Sequence, residues 1–437
     1  MTRVLYLGTV VSNGGDAAIQ RAQMVTLDAS LDAPTTAMHD SSPDVARRRF
    51  PGAEVLPGTY PLVHRPAGGS LPRRVLRRVN KERVTLAARL WRDGRGLGRF
   101  LVSAAEARQL ASIASADLVA YTGGTSLIEK YSVRGKLYEV ELALVLGRPV
   151  VLLPQSMGPF RDPQNVRALR RVLGRVDAVL LRDERSLGFL RDIGVRTDHV
   201  RVVPDIVFAL HTAEASARLA AGVVPVRGAR IGVSVRDCRV FFSGSAEVRE
   251  QRDRAFRDAV AGLVTTLVRD HGADVTFVST CQGVPEYWTD DSVVAQDVVA
   301  RLPEDVAPSV RVDGGYYDTD GLLDAFGRFD LLVATRLHAA ILALDAGTPV
   351  LPIAYEFKTQ EVMAQLGMGD VVVTIEDATT ESLTDALDRL LERLPAARAP
   401  LAAALEETGE QARRTGDVVR DALGARLTTT AAQPAHR

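Results

Sequence analysis

Cysteine is nearly absent from this chain. Its 437 residues hold two, Cys238 and Cys281. Neither sits in a CxxC pair, so the spacing of a metal-ligand set is missing. Both read as ordinary reduced thiols, as in a cytoplasmic protein. An excess of one charge is absent too. Lys and Arg number 54 and Asp and Glu 54, so nothing global argues for nucleic acid. No stretch reaches the roughly 20 apolar residues of a membrane span. The opening MTRVLYLGTVVSNGG lacks a basic n-region, a long apolar h-region and a small-residue cleavage site, and reads as a first strand rather than a leader. Neither GxGxxG nor GxxxxGK[ST] occurs, so neither NAD binding nor ATP hydrolysis is expected.

What is present is an ordinary globular composition, 46% hydrophobic and 25% charged, over a length that suits two domains. Short apolar runs alternate with helical patterns: RVLYLG, ADLVAYTGG, RPVVLLPQS and DAVLLRDERS, then ARIGVSVR, ADVTFVST, FDLLVAT, TPVLPIAY and DVVVTI. Continuous apolar strands between helices predict βα units around buried parallel sheets. The expectation is α/β, two Rossmann-like doubly wound domains facing across a cleft. The first spans 1–215 and the second 216–425, with a disordered tail at 426–437. TAEASARLAAGVVPVRGA reads as the linker. Between 47 and 100 strand and helix signals fade and arginines crowd, including Arg73, Arg74, Arg77 and Arg78, and LPRRVLRRVNKERVTLAARLWRDGRGLGR is compatible with a basic helix. This basic insertion reads either as a solvated excursion or as a face for an anionic acceptor or the membrane that carries one.

In open α/β sheets ligands bind beyond the carboxyl ends of strands, so the strand-end loops are where chemistry is sought. In VATRLHAAILALDAG a strand ends at Ala334, Thr335 is a plausible N-cap, and Leu337, Ile341 and Leu344 share one helical face. Arg336 and His338 then fall in the first helical turn, where cations cost about 0.3–1 kcal/mol each against the helix dipole. The cost reverses if an anion binds, because helix N-termini are anion sites and guanidinium pairs bidentately with phosphate or carboxylate. Arg236 ends the strand of GVSVR, and Tyr355, Glu356 and Lys358 follow TPVLPIAY. Together Arg236, Arg336, His338 and Lys358 predict a compact pocket for a small polyanion. In the first domain Gly14 and Gly15, a pair that allows close backbone approach, precede a helix with Asp16 in its first turn, where it suits a capping role. Gly123, Gly124 and Thr125 form a similar turn, Gln155, Ser156 and Gly158 another, and Arg182–Ser186 and Asp205 end further strands. These suit a sugar acceptor, which needs directional donors and acceptors.

The ordered set NGGDAAI, YTGGTSL, LPQSMGPF, LLRDERS, VVPDIVF, GVSVR and TRLHAAILALDAGTPVLPIAYEFKTQE resembles the polysaccharide pyruvyl transferase family over roughly residues 12 to 365. The resemblance implies a GT-B-like arrangement and transfer of a pyruvyl group from phosphoenolpyruvate onto two hydroxyls of a glycan sugar, forming a cyclic ketal. It places Arg236, Arg336, Leu337, His338 and Lys358 on the donor and makes His338, Arg336 and Arg236 the catalytic candidates. The acceptor side takes Gly14, Gly15, Asp16, Gly123, Gly124, Thr125, Gln155, Ser156, Glu184 and Asp205. No metal and no cofactor beyond phosphoenolpyruvate as co-substrate is expected. The acceptor is a sugar or glycan, lipid-linked in one version, and residence is cytoplasmic at or near the inner face of the membrane. Three other classes stay open: a GT-B glycosyltransferase using a sugar nucleotide, a pyruvyl-transferase-like enzyme of small-molecule or secondary-metabolite assembly, and a non-catalytic sugar- or anion-binding protein of the same fold. The insertion at 47–100 departs from the family pattern on the acceptor side.

Overall fold

A computed structural model describes residues 2–32, 34–58, 71–94, 96–222 and 227–424, with residues 71–77 described by their backbone. The expected tail at 426–437 lies outside the described residues, as do the side chains of Arg73, Arg74 and Arg77. Two units emerge from the packing. The first comprises Met1–Val11, Ile19–Ile206 and Gln411–Arg437, the second Ser12–Ala18 and Val207–Glu410.

In the first unit seven strands, β1 (Arg3–Thr9), β2 (Thr35–Asp40), β3 (Glu54–Pro57), β4 (Leu118–Tyr121), β5 (Val150–Gln155), β6 (Ala178–Leu181) and β7 (Val200–Val202), lie in the order β3-β2-β1-β4-β5-β6-β7. Every recorded pairing is parallel. Strands β4, β5 and β6 are buried along their whole length. Apolar residues therefore run continuously instead of alternating, which is why these strands were legible. The helices are α1 (Gly14–Ser30), α2 (Pro43–Arg49), α3 (Leu71–Arg92), α4 (Ala104–Ala114), α5 (Val133–Val145), α6 (Pro163–Leu173) and α7 (Glu184–Asp192). Helix α4 starts in a capping box, with Ser103 and Glu106 bonding each other's backbone N–H.

The described part of the basic region at 47–100 is folded. It contains β3, at the sheet edge, and the 22-residue helix α3. Val84, Ala87 and Ala88 of α3 are buried in the unit's core, and Arg83 is ion-paired to Glu106. Eight basic residues are interspersed among ten apolar ones in α3, so its narrow buried stripe does not stand out in a count of residue types.

The second unit repeats the plan. Strands β8 (Arg230–Ser234), β9 (Asp274–Phe277), β10 (Val310–Val312), β11 (Leu331–Ala334), β12 (Val350–Ala354) and β13 (Val373–Thr374) run β10-β9-β8-β11-β12-β13, again all parallel. The helices are α8 (Ala213–Ala221), α9 (Ala246–Arg269), α10 (Asp291–Val299), α11 (Thr319–Phe326), α12 (Leu337–Asp345), α13 (Phe357–Gln365) and α14 (Thr380–Arg413). A last helix, α15 (Thr415–Leu423), returns to the first unit. The first half of the expected linker is α8. Thr212 caps it, and Ala215, Ser216 and Leu219 are buried. Its alanine-rich composition favours a helix once one face has a core to meet. Both sheets reverse direction of growth at one point, between β1 and β4 in the first and between β8 and β11 in the second.

Candidate functional site

The switch point of a doubly wound sheet is where two neighbouring strand-end loops diverge and leave a crevice. In the second unit Ser234 pairs with Ala334. Arg236 and Arg336 therefore leave the sheet in the same register, each two residues past a paired position. β9 and β12 flank them, bringing Ser279 and Tyr355 to the same edge.

Arg236 is buried, 7% exposed. Its guanidinium carbon lies 4.4 Å from the ring centre of Phe241 and 4.2 Å from that of Tyr355. Such stacking is worth up to about 2 kcal/mol when desolvated. Among the described residues its Nε has no hydrogen-bond partner, and no carboxylate pairs with it. A buried, uncompensated charge is costly, and among the described residues no carboxylate offsets this one. Burial raises the Tyr355 pKa, opposed by Arg236, which keeps that ring a neutral face.

Arg336 is equally buried but paired. Its Nε and Nη2 donate to the two oxygens of Asp291, the second at 2.7 Å. Ser279 Oγ donates to Asp291 at 2.5 Å and lies 2.9 Å from Ser234 Oγ. Burial alone would lower the Arg336 pKa; the charge of Asp291 carries it well above the ordinary arginine value, so the group is a fixed cation. Asp291 was missed in the sequence because it lies 45 residues from its partner and in no strand-end motif.

Helix α12 begins one residue later than expected. Thr335 still belongs to the sheet, its N–H donating to Ser234 O at 2.9 Å, and Arg336 is the N-cap residue, with no side-chain capping bond. Thr335 Oγ1 is buried and without a partner among the described residues. Leu337 and Ala339–Asp345 are buried, so the helix is apolar nearly all round rather than on one face. His338 sits in its first turn, half-buried. Lys358 is ion-paired to Glu356 at 3.0 Å.

The segment Ser12–Ala18 packs here as well. Gly14 N–H donates to Thr280 O at 3.0 Å. A Cβ on Gly14 would lie 2.1 Å from that oxygen, and one on Gly15 2.8 Å from His338 Nδ1. The glycine pair thus permits contact with Thr280 and His338. Asn13, not Asp16, caps α1: its Oδ1 accepts from Gly15 N–H at 2.8 Å and Asp16 N–H at 3.4 Å. Asn13 also accepts from Cys281 Sγ at 3.3 Å and donates to Tyr287 at 3.2 Å. Burial pushes the Cys281 thiol up to about 11, so it is not a nucleophile near neutrality.

The other residues expected at the acceptor lie at or just past strand ends of the first unit, and Thr125, Ser156 and Asp205 are linked through Arg182. Arg182 donates to Asp205, to Thr125 Oγ1 at 2.9 Å and to Ser156 Oγ at 3.2 Å. Ser156 donates to Asp183 at 2.7 Å. Gln155 is fully buried and bonds Thr122 O. Gly124, at φ +112°, bridges to Gln155, and a Cβ on Gly123 would strike Gln23 and Pro154. Glu184 is exposed at the start of α7. Arg182 is the hub of this network. Among the described residues no group of three or more His, Cys, Asp or Glu could hold a metal ion.

By fold the chain is a pair of Rossmann-like doubly wound domains of the GT-B-like class. Solved structures agree. The Anabaena protein HepE in complex with UDP-glucose superposes with a TM-score of 0.54 at 14% identity, over 99% of this chain and 100% of that one. The MnaA–UDP structure from S. aureus gives 0.56 at 9% identity over the whole of both chains. At such identities the likeness is one of fold. The profile of polysaccharide pyruvyl transferases matches residues 45–356, and the chain belongs to that family. The amylovoran biosynthesis protein AmsJ of Erwinia amylovora is 27% identical over 304 residues, 67% of this chain and 69% of that protein. The protein is thus a glycan-modifying transferase by family.

Proposed function

We propose that the protein transfers a pyruvyl group from phosphoenolpyruvate to two hydroxyls of a glycan sugar, releasing phosphate and closing a cyclic ketal. The observation that carries this reading is the buried Arg236 guanidinium, stacked between two rings and unpaired, at the switch point it shares with Arg336. A small dianion with a carboxylate and a phosphate answers that arrangement. Arg236 pairs with one group. Arg336, whose Nε and Nη2 are held by Asp291, offers its remaining N–H edge to the other. The uncapped N-terminus of α12 adds its dipole.

In this scheme the methylene carbon gains a proton, one sugar hydroxyl adds to the neighbouring carbon, and the C–O bond to phosphate breaks. The second hydroxyl then adds at the same carbon. The two hydroxyls give up two protons, one balancing the new methyl group and the other leaving with phosphate. His338 is the candidate proton donor. Gly14, Gly15, Asp16, Gly123, Gly124, Thr125, Gln155, Ser156, Glu184 and Asp205 remain the proposed acceptor set, with the network residues shaping rather than contacting the sugar. A second reading, transfer from a sugar nucleotide, draws on the UDP and UDP-glucose held by the MnaA and HepE structures.

The test is incubation with phosphoenolpyruvate and with UDP-glucose in turn, against a panel of glycan and lipid-linked acceptors. Phosphate release matched by a 70-Da gain in acceptor mass is the expected outcome; hexose addition from UDP-glucose alone overturns the reading.

A further inference from the structure

Ten large apolar side chains are exposed among the described residues, and four of them, Val79, Leu86, Leu97 and Phe100, lie between residues 79 and 100. That concentration needs a cause. Around α3 the arrangement is ordered. Val84, Ala87 and Ala88 face the core. On one flank a 3-10 turn (Gly96–Leu101) lies against the helix, close enough that a Cβ on Gly98 would touch Ala87 and Leu90. On the other flank two adjoining surface grooves, about 340 and 330 Å³, open along Lys81, Thr85 and Arg89. By helical spacing Val79 and Leu86 project from the exposed side between turn and grooves.

Six cations line the grooves against two carboxylates, Glu82 and Glu141, in a chain of zero net charge. Helices α5 and α6 complete their walls and add Arg134, Arg167 and Arg171, and the turn after α6 adds Arg175. Glu141 offsets Lys81 and Arg171 through ion pairs of 3.2 and 2.6 Å. Arg89, Arg167 and Arg175 are exposed and have no ion pair among the described residues. Exposed apolar side chains flanked by unpaired cations are the chemistry of an interfacial helix: apolar groups enter the acyl boundary while cations meet lipid phosphates.

We infer that this face of the first unit docks on the surface of an anionic lipid bilayer. No helix of the described residues is long and apolar enough to cross one, so the contact is peripheral. Charge complementarity selects the occupant: a neutral surface leaves three unpaired arginines unanswered, and a free phosphate leaves Leu86 and Phe100 uncovered. The inference does not depend on the transfer reaction, since all its residues lie in the first unit, outside the donor site.

The experiment is co-sedimentation of the full chain with phosphatidylcholine vesicles, with and without about 30% phosphatidylglycerol. Binding is expected only to the anionic vesicles and should weaken steeply with salt. Arg89→Gln, Arg167→Gln and Arg175→Gln combined should lower it roughly a hundredfold, at about fivefold per charge. Leu86→Ser with Phe100→Ser should lower it at constant charge. Matching thermal unfolding of each variant controls for the fold. Equal binding to neutral vesicles, no binding to either, or full binding by the triple variant would overturn the proposal. So would capture of inorganic phosphate by the grooves without any vesicle binding.

Discussion

Arg236 and Arg336 are both arginines at strand ends, yet they differ in kind. Arg336 has its counter-charge within the fold and Arg236 does not. Arg236→Met therefore removes an unpaired buried cation. It should leave unfolding stability unchanged or raised in urea titrations, while abolishing the response to phosphoenolpyruvate. A loss above about 2 kcal/mol would mean that the aromatic stack alone accounts for the guanidinium. Asp291→Ala does the reverse. It strands Arg336 without its partner and should cost about 3–5 kcal/mol. Arg336→Met in the same chain should restore most of that loss; additive losses would contradict the pairing. Both arginines stood out in the sequence as strand-end residues, and Arg336 the more sharply, because a cation where a strand turns into a helix is electrostatically misplaced unless an anion comes. Asp291 was not legible. Nothing local distinguishes it from the acids around it, and only its hydrogen bonds to Ser279 and Arg336, past the ends of β9 and β11, give it a role.

Elements show the same division. The NGG turn announced close backbone approach, but not what approaches. The surfaces met are Thr280 and the His338 ring. Gly15→Ala should push that ring from its position. Turnover is expected to fall by about 10²-fold, as a misplacement of order 1 Å does, with donor affinity changed much less. Unchanged turnover, measured by phosphate release, would separate the turn from the chemistry. Strands buried on both faces were readable as unbroken apolar runs. β10 was not, because it has three residues and Arg311 in its middle is exposed. Helix α3 was visible as a basic helix, but its buried stripe of Val84, Ala87 and Ala88 was not.

At the scale of the whole molecule, strand order is the feature that no local pattern encodes. It alone makes the ends of β8 and β11 neighbours and so turns two distant arginines into one site. The fold also carries a pH signature. His39 on β2 is buried, and burial, aided by Arg3, lowers its pKa to about 4. A depressed histidine contributes stability above its unfolded value near 6.5 and loses it as pH falls toward 4. The full loss amounts to about 3 kcal/mol. Its neighbour Asp40, raised by burial against its hydrogen bonds, acts in the opposite sense. The informative comparison is therefore His39→Leu against the parent chain in urea unfolding from about pH 7 to pH 5. The variant should show a flatter dependence. Parallel curves would mean that His39 is protonated without penalty.

The central claim is that a small dianion completes the charge of Arg236. A thermal-shift titration with phosphoenolpyruvate, beside pyruvate, inorganic phosphate and UDP, tests it most directly, since a ligand of the folded state raises the unfolding temperature by mass action. The account predicts a shift with phosphoenolpyruvate that exceeds the other three and vanishes in Arg236→Met and Arg336→Ala. A shift with UDP alone, or one that survives both substitutions, would contradict it.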